Sequence, residues 1–316
     1  MNPIKNALVI GGNGLLGYGM VKQLAIQCWN VRSFDLAEID KKKQIENVEY
    51  VTGDLYDSNV LASALSKIDI VFYFISSTIP KTNDLYLDNE ISKTLSTLDY
   101  VLKMMTNFNV KNFVFPSSGG AVYGDIEQGY AVENMLVHPK TAYGAGKILS
   151  EQILNFYYMK HGINSCIFRI GNVYGSPLYR RGQQCAIDIF IQNALEELPV
   201  TIWGSAESVI RDYIFLDDVT EAVVMVSGSF KEGVNIYNVG TGVGVNLKEV
   251  IRLINKYVEK PLLTTHDIKT SSGVDRIILD TSKIMNEFMW RPAHDLENGI
   301  KDTVLLKKLL LLNIKE

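Results

Sequence analysis

The stretch from Ala7 to Gly17 constrains the fold of this chain most strongly, because a buried strand leads there into a glycine-rich turn. It reads Ala-Leu-Val-Ile-Gly-Gly-Asn-Gly-Leu-Leu-Gly. Four apolar residues without polar alternation are typical of a parallel strand buried on both faces. The amphipathic run Tyr18 to Gln27 then predicts a helix. A strand, a glycine turn and a helix start together can bind a dinucleotide pyrophosphate.

Each glycine of this turn has a predicted role. Gly11 permits the tight turn, Gly14 lets the backbone approach the phosphates, and Gly17 lets the helix pack on the strand. The helix start adds amide donors, so the predicted cofactor contacts here are Gly11, Gly14, Leu15, Leu16 and Gly17. The spacing is Gly-x-x-Gly-x-x-Gly rather than the Gly-x-Gly-x-x-Gly of most dehydrogenases, and a glycine turn without ligand is the alternative.

Acidic residues end the next two predicted strands. Val31 to Asp35 predicts a strand whose terminal carboxylate lies about 20 positions beyond the glycine turn, where it can bind adenosine ribose hydroxyls and repel the extra phosphate of NADP. Asp35 therefore argues for NAD, and a solvated strand-end aspartate is the alternative. The third predicted strand, Tyr50 to Leu55, brings Asp54 and Leu55 to the adenine as further cofactor contacts.

Strand and helix patterns continue to alternate along the first half of the chain. They lie at 70–75, 84–108, 110–115, 141–160 and 165–170. This alternation predicts an α/β fold with a doubly wound parallel sheet, a Rossmann domain with right-handed crossovers. The fourth strand ends at Ile75, and the chain then turns over the sheet edge through Ser76, Ser77 and Thr78. Ile75 and Ser76 are predicted cofactor contacts, and Ser77 and Thr78 are predicted substrate contacts.

Beyond Gly171 the elements become shorter and less regular. Helices are predicted at 186–198, 217–226 and 247–258, and strands near Thr201 and Tyr213. Such additions usually cover the carboxyl edge of the sheet, where substrates bind. We predict an NAD-binding Rossmann domain over 1–175, with sheet and helix segments returning around 211–240. A smaller α/β substrate-binding lobe with a C-terminal helix is predicted over 176–316.

Composition argues against several classes of protein. The 316 residues carry 31 basic and 35 acidic side chains, a net charge of −4, so no basic surface for nucleic acid is predicted. The cysteines and histidines show no metal-ligand spacing, and no metal is predicted. No apolar run reaches the ~20 residues that span a bilayer. The chain enters its first strand without a signal peptide, and a cytoplasmic protein is predicted. The apolar tail, Val304 to Leu312, predicts a terminal helix packed on the body, with membrane association as the alternative.

The chemical centre is the segment Tyr143-Gly-Ala-Gly-Lys147. Residues four apart on a helix share a face, so the phenol and the ammonium emerge side by side. The cation favours phenolate, and we expect the pKa of Tyr143 to fall below ~10, which suits an acid or base near neutrality. Without further context, the alternative is that such a pair stands on an ordinary solvent-exposed helix face and has no catalytic role. Here the pair follows the fifth strand and the residues Ser117 and Ser118.

At this point the sequence resembles the extended short-chain dehydrogenase/reductase family, and within it the nucleotide-sugar epimerases and dehydratases. The resemblance covers nearly the whole chain. Besides the glycine turn and the Tyr143–Lys147 pair it rests on these blocks: Ser-Ser-Gly-Gly-Ala-Val-Tyr-Gly at 117–124, Arg-Ile-Gly-Asn-Val-Tyr-Gly at 169–175, Arg-Asp-Tyr-Ile-Phe-Leu-Asp-Asp at 211–218, Tyr-Asn-Val-Gly-Thr-Gly at 237–242, Asp-Thr-Ser-Lys at 280–283 and Trp-Arg-Pro at 290–292.

The resemblance implies bound NAD and a nucleoside-diphosphate sugar, here a UDP-sugar, as substrate. In that chemistry Tyr143 removes a sugar hydroxyl proton while hydride passes to the nicotinamide, and Lys147 and Ser117 also contact the cofactor. The transient keto sugar rotates, and returning hydride to its other face inverts the carbon. Asn172 and Arg211 match residues that contact the diphosphate. A turn cap is the alternative for Asn172, and a structural salt bridge to Asp217 or Asp218 is the alternative for Arg211.

The chain departs from the family at the catalytic hydroxyl. That position is Gly119, so Ser118 is the predicted hydroxyl shuttle, with Ser76, Ser77, Thr78 or water as alternatives. The predicted catalytic residues are therefore Tyr143, Lys147 and Ser118. The predicted substrate contacts are Ser77, Thr78, Ser118, Gly119, Tyr143, Asn172, Arg211 and Arg276.

Two further departures concern the reaction and the substrate. The Asp-Glu pair of dehydratases is replaced by Gly120 and Ala121, so water loss has no obvious acid or base, and dehydration is disfavoured. A substrate arginine expected shortly before Asp280 is absent, and Lys269 or Arg276 can substitute for it.

These observations together predict an NAD-dependent 4-epimerase acting on a UDP-sugar of the glucose/galactose type, in surface polysaccharide or sugar-nucleotide metabolism. The alternatives are a 4-keto reductase, an epimerase for another nucleotide, and a catalytically silent NAD-sensing protein, which Gly119 favours. The helical patterns at 84–108 and 141–160 have more apolar surface than one sheet face covers. In related enzymes this pair forms a four-helix bundle across a dimer axis, so a homodimer is predicted.

Overall fold

A computed structural model describes residues 5–76, 87–88, 90–177, 185–267 and 273–313. The strands are β1 Asn6–Ile10, β2 Asn30–Asp35, β3 Val48–Thr52, β4 Ile70–Tyr73, β5 Asn112–Ser118, β6 Asn164–Ile170, β7 Asn172–Tyr174, β8 Val200–Trp203, β9 Ile210–Phe215, β10 Val234–Val239, β11 Gly244–Asn246 and β12 Thr264–Asp267. The α-helices are α1 Leu15–Ile26, α2 Ser58–Leu65, α3 Ser96–Asn107, α4 Gly119–Val122, α5 Ala142–His161, α6 Ala186–Leu195, α7 Leu216–Gly228, α8 Leu247–Tyr257, α9 Ser282–Phe288 and α10 Leu296–Asn313.

A seven-stranded sheet of order β10-β6-β5-β4-β1-β2-β3 carries the architecture. The pairs β1–β2, β1–β4, β2–β3 and β4–β5 all run parallel. The strand order reverses between β1 and β4, and open α/β sheets bind ligands at the carboxyl ends of the strands beside such a switch point. The predicted doubly wound α/β fold is therefore confirmed.

The central position of β1 follows from its side chains. Ala7 to Ile10 are all 0% exposed, as expected for a strand covered on both faces. Leu8 and Ile10 share a core cluster with Leu98 of α3 and Leu154 of α5. Full burial of each such side chain is worth about 1.5–3 kcal/mol. This core holds β1 in place and thereby positions the glycine turn that follows it at the carboxyl edge of the sheet.

The chain folds into two compact units, each assembled from several segments. The first unit is formed by 1–117, 142–169 and 220–237, and the second by 118–141, 170–219 and 238–316. The predicted boundary at residue 175, with segments returning around 211–240, stays a prediction. The assignment of cofactor and substrate to separate domains stays a prediction.

The second unit has two small sheets and its own core. The sheets have the orders β11-β9-β7 and β12-β8. The core brings together Ile191 of α6, Ile254 of α8 and Ile300 of α10. Ile300 and Val304 are 0% and 2% exposed, so the C-terminal helix packs on this unit. Among the helices in the described ranges, none has the length and apolar character to cross a membrane.

Several element bounds differ from the sequence predictions. β3 ends at Thr52, and the unpredicted helix α2 follows, with the Asp57 carboxylate accepting the amides of Asn59 and Val60 at its start. The long helical pattern at 84–108 begins outside the described residues. Its described part is a π-helical turn, Glu90–Leu95, followed by α3. β5 extends to Ser118, which places Ser117 and Ser118 in a strand.

Candidate active site

The glycine turn joins β1 to α1 through contacts that side chains would prevent. Gly11 has a φ of +84°, and its amide donates to the Phe34 carbonyl at 2.8 Å. A side chain at Gly17 would collide with the carbonyl oxygen of Gly11, so the first turn of α1 lies directly on the glycine turn. The amide of Gly14 donates to the same carbonyl at 3.0 Å. The backbone of residues 11–17 thus forms a compact loop, which is called the phosphate cradle below.

The start of α1 is suited to an anion. Leu15 and Leu16 are its first two residues, so their amides have no acceptor within the helix. The first turn carries no acidic side chain that would oppose the positive end of the helix dipole. A diphosphate would accept hydrogen bonds from these amides and would be attracted by the positive end of the dipole.

The Asp35 carboxylate lies directly against the glycine turn. Its Oδ2 accepts the Asn13 amide at 2.9 Å, and its Oδ1 accepts the Ala37 amide at 3.3 Å. These three residues line an open pocket of about 130 Å³ together with Ser33 and Tyr50. The buried hydroxyl of Ser33 has no hydrogen-bond partner among the described residues. A carboxylate and an unused hydroxyl beside a phosphate cradle fit the adenosine half of NAD.

The other predicted cofactor contacts differ in burial: Leu55 and Ile75 pack on the core, whereas Asp54 and Ser76 are exposed. Asp54 accepts a backbone amide of its own turn at 2.9 Å, and Leu55 is only 7% exposed. Ile75 packs against the same core cluster, and Ser76, just past β4, is exposed. Ser77 and Thr78, the substrate contacts predicted at this edge, lie outside the described residues. The same holds for Lys269, which was considered as a substitute for the missing substrate arginine.

Lys147 is buried beside Tyr143 near the start of α5. Its ammonium is held by the Pro116 carbonyl at 2.9 Å and lies 4.8 Å from the centre of the Phe115 ring. The distance from the same nitrogen to the centre of the Tyr143 ring is 5.5 Å. Lys147 is 5% exposed, and charge acts more strongly where water is excluded. The geometry fixes a cation next to the phenol, on the helix face that the four-residue spacing predicts.

A buried network behind this pair was missed by the sequence analysis. The Ser117 hydroxyl, a predicted cofactor contact, donates to Glu151 Oε1 at 2.6 Å. Arg169 binds the same carboxylate from β6 through Nε at 3.1 Å and Nη2 at 2.7 Å. Glu151 follows Lys147 by four residues, which is the one signal that placed it on the same helix face. Its partners are distant in sequence and could not be inferred.

In the second unit, Asn172 presents an unused amide group. Its Nδ2 atom is buried without a hydrogen-bond partner among the described residues. A Cβ added at Gly120 would lie 3.5 Å from Asn172 Oδ1, so this glycine keeps the space beside the amide open. An unsatisfied buried donor is costly, and a ligand oxygen would satisfy it. Gly119 and Gly120 open α4 directly after Ser118, whose side chain makes no capping hydrogen bond.

Arg211 is bound to backbone carbonyls rather than to the neighbouring aspartates considered in the sequence analysis. Its Nη1 donates to Ile210 at 3.1 Å and to Asp275 at 2.9 Å, and its Nη2 donates to Val274. Burial lowers the pKa of this guanidinium. The side chain therefore anchors the 274–275 segment, and its diphosphate role stays a prediction.

Arg276 belongs to the same anchored segment. Its Nη1 donates to the carbonyls of Ile126 at 2.6 Å and Gly129 at 3.1 Å. Asp125 accepts the Arg276 amide and forms an ion pair with Lys140. Arg276 thus fastens the loop after α4 to the segment that Arg211 holds, and its contact with substrate stays a prediction.

Comparison with known proteins is consistent with this geometry. The sequence profile described as "NAD dependent epimerase/dehydratase family" matches residues 7–240. A putative UDP-glucose 4-epimerase from Methanocaldococcus jannaschii is 30% identical over 299 residues, covering 94% of this chain and 96% of the relative. The dTDP-4-dehydro-6-deoxyglucose reductase of Escherichia coli is 27% identical over 313 residues, covering 95% and 97%.

Solved structures show the same fold. The crystal structure of Thermus thermophilus UDP-glucose 4-epimerase in complex with NAD superposes with a TM-score of 0.85 at 29% identity. The match covers 96% of this chain and 99% of that chain. The similarity thus extends over both units.

Proposed function

The chain belongs to the NAD dependent epimerase/dehydratase family, and on that premise we propose that it epimerises carbon 4 of a UDP-sugar through a transient 4-keto intermediate. The observation that carries the proposal is the anchored Tyr143–Lys147 pair, in a chain that aligns over 94% of its length with a putative UDP-glucose 4-epimerase. The substrate is proposed to be of the UDP-glucose/UDP-galactose type.

The first unit has the groups that would hold NAD. The cradle of Gly11, Gly14 and Gly17 with the start of α1 would take the diphosphate, and Asp35 the adenosine ribose. Lys147 would hold the ribose next to the nicotinamide. Bound NAD supplies a reversible acceptor for the hydrogen on the sugar carbon.

Tyr143 is the proposed acid–base residue. It takes the proton from the sugar hydroxyl as the keto group forms and returns it when the keto group is reduced on the opposite face. Lys147 stabilises the phenolate, and its anchoring by the Pro116 carbonyl keeps the charge in place during both steps. Ser118 is the proposed hydroxyl shuttle, since position 119 is glycine.

Residues of the second unit are proposed to hold the nucleotide-sugar diphosphate. The unused buried amide of Asn172 is the strongest support, because it needs a ligand acceptor. Arg211 and Arg276 bring guanidinium groups to the same unit, and guanidinium suits phosphate oxygens.

A 4-keto sugar reductase is the second candidate. It is favoured by the 27% identity, over 95% of this chain, with the dTDP-4-dehydro-6-deoxyglucose reductase. Dehydration has less support, because Gly120 and Ala121 offer neither an acid nor a base. A silent NAD sensor would need no ordered Tyr143–Lys147 pair.

We also propose a homodimer that works in the cytoplasm. Apolar side chains on α5 support the dimer, since Phe156 is 54% and Met159 is 71% exposed.

The proposed reaction is tested by incubating the purified protein with UDP-glucose and NAD and separating the nucleotide sugars by chromatography. Appearance of UDP-galactose with no net formation of reduced cofactor supports the epimerase. Stoichiometric oxidation of NADH or NADPH by a 4-keto sugar, with no UDP-galactose, identifies the reductase instead.

A further inference from the structure

The network behind the Tyr143–Lys147 pair connects α5 to the last residues of β5. Ser117 donates to Glu151 at 2.6 Å, and Arg169 chelates the carboxylate of Glu151 from β6. Each of these three residues is 4% exposed. The contacts therefore form in a water-poor interior, where a satisfied polar network is strong and a broken one is costly.

Two contacts one helical turn apart fasten the same helix to the same strand. Lys147 donates to the carbonyl of Pro116, and Glu151 accepts from the next residue, Ser117. Residues four apart stand on one face of a helix, so both contacts set the position of α5 along β5. A shift at the Glu151 contact would therefore move Tyr143 and Lys147 together relative to the end of β5.

The charges around this face are balanced. Glu151 is the acidic partner from α5, Arg169 neutralises it from β6, and β5, of sequence Asn-Phe-Val-Phe-Pro-Ser-Ser, contributes no charged side chain. Helix α3, which also packs on α5, contributes Asp99, and this carboxylate binds Tyr157 and Lys103. The carboxylate of Glu151 is thus paired with Arg169.

We propose that Glu151 is a positioning residue that, through Ser117, keeps the Tyr143–Lys147 face of α5 in register with the end of β5. This inference rests on the proposed function of that pair. Neither Glu151 nor Arg169 touches substrate or cofactor in this proposal. Their effect reaches the reaction through the positions of Tyr143 and Lys147.

The test compares Ser117→Ala with the matched variant Ser150→Ala. Both changes remove one buried hydroxyl, but the hydrogen bond that Ser150 makes among the described residues stays within α5, to the Gly146 carbonyl at 2.9 Å. Glu151→Gln is the second variant of the network. For each protein, kcat and KM with UDP-glucose, the Kd for NAD and the thermal midpoint are measured.

We expect Ser117→Ala and Glu151→Gln to lower kcat by roughly tenfold to a hundredfold, the scale of a misplaced catalytic group, with KM little changed. In these two variants the Kd for NAD should rise severalfold. Ser150→Ala should match the wild type in both kcat and the Kd for NAD. Because Ser117 is itself a predicted cofactor contact, Glu151→Gln decides: wild-type kcat and Kd in this variant, or equal losses in Ser150→Ala, would overturn the proposal.

The cofactor measurement separates this inference from the proposed function. If the wild type does not convert UDP-glucose, the proposed reaction fails, and the Kd for NAD alone decides the positioning role. A weaker Kd in Ser117→Ala and Glu151→Gln than in Ser150→Ala then supports it, and equal values in all proteins contradict it.

Discussion

The carboxylate of Asp35 accepts the backbone amide of Asn13 at 2.9 Å, which ties the end of β2 to the glycine turn after β1. The two strands are parallel, so their carboxyl ends meet at one edge of the sheet. A single side chain thus shapes the phosphate cradle and stands where the adenosine ribose would bind. This double role makes Asp35 a sensitive test of the cofactor assignment.

Replacing Asp35 with Ala should weaken NAD binding by about tenfold to a hundredfold, since a hydrogen bond to a charged group is worth about 1.5–3 kcal/mol. The preference for NAD over NADP should shrink, because the repelling carboxylate is gone. Isothermal titration with both dinucleotides measures this. Asp57→Ala is the control: it removes the cap of α2, costs about 1 kcal/mol of unfolding free energy and leaves both affinities unchanged. Unaltered NAD affinity in Asp35→Ala would contradict the assignment.

Lys307→Met should strongly destabilise the second unit. Lys307 is 3% exposed and pairs at 3.2 Å with Asp188, which also accepts the amides of Gly175 and Ser176. Removing the lysine leaves a buried carboxylate uncompensated, at a cost of about 3–5 kcal/mol. Urea unfolding measures the loss.

The neighbouring lysine provides the matched control for that experiment. Lys308→Met removes a partly exposed pair with Glu259, whose nitrogen–oxygen distance is 3.6 Å, and should cost under about 1 kcal/mol. Burial raises the pKa of Asp188, so the deficit of Lys307→Met should shrink as the pH falls and the carboxyl takes up a proton. Equal losses in both variants would contradict the account.

The ion pair of Asp125 and Lys140 should stabilise the fold in a pH-dependent way. Burial opposes ionisation, but hydrogen bonds from Lys140 and from the amides of Asp275 and Arg276 lower the pKa of Asp125 below its ordinary 3.8. A carboxyl with a lowered pKa adds stability above 3.8 that disappears as the pH falls through the folded-state pKa. The wild type should therefore have a higher urea midpoint than Asp125→Asn at pH 6, and the two midpoints should converge as the pH falls below 3.8. A constant difference across this range would refute the linkage.

The exposed apolar side chains of α5 should mediate self-association. Phe156→Asp combined with Met159→Asp should convert the dimer to a monomer at micromolar concentration, because charges at an apolar interface are costly to bury. Multi-angle light scattering measures the mass. Leu136, 80% exposed in the other unit, provides the control variant Leu136→Asp, which should stay dimeric. A wild-type monomer would rule out the proposal at the outset.

The sequence predicted the fold well because its signals are local. A run such as Ala7 to Ile10 has to be buried on both faces, and the glycines after it permit one kind of turn. The four-residue spacing of Tyr143 and Lys147 also places both side chains on one face of a helix, whatever the tertiary packing around it.

The rest of the site depends on long-range partners. Glu151 meets Arg169 across 18 positions and Ser117 across 34, and no periodic pattern records such a pairing. Arg211 matched a family block, yet its described hydrogen bonds go to carbonyls of the 274–275 segment and to Ile210, contacts that only tertiary packing creates.

The most direct test of the proposed reaction uses UDP-glucose labelled with deuterium at carbon 4. If the hydrogen leaves that carbon and returns to its other face within one site, the UDP-galactose formed should keep the label at carbon 4, and Tyr143→Phe should slow its formation by about 10²–10⁴-fold. Mass spectrometry and proton NMR of the product measure both. Loss of the label to solvent, or turnover in Tyr143→Phe at the wild-type rate, would contradict the account.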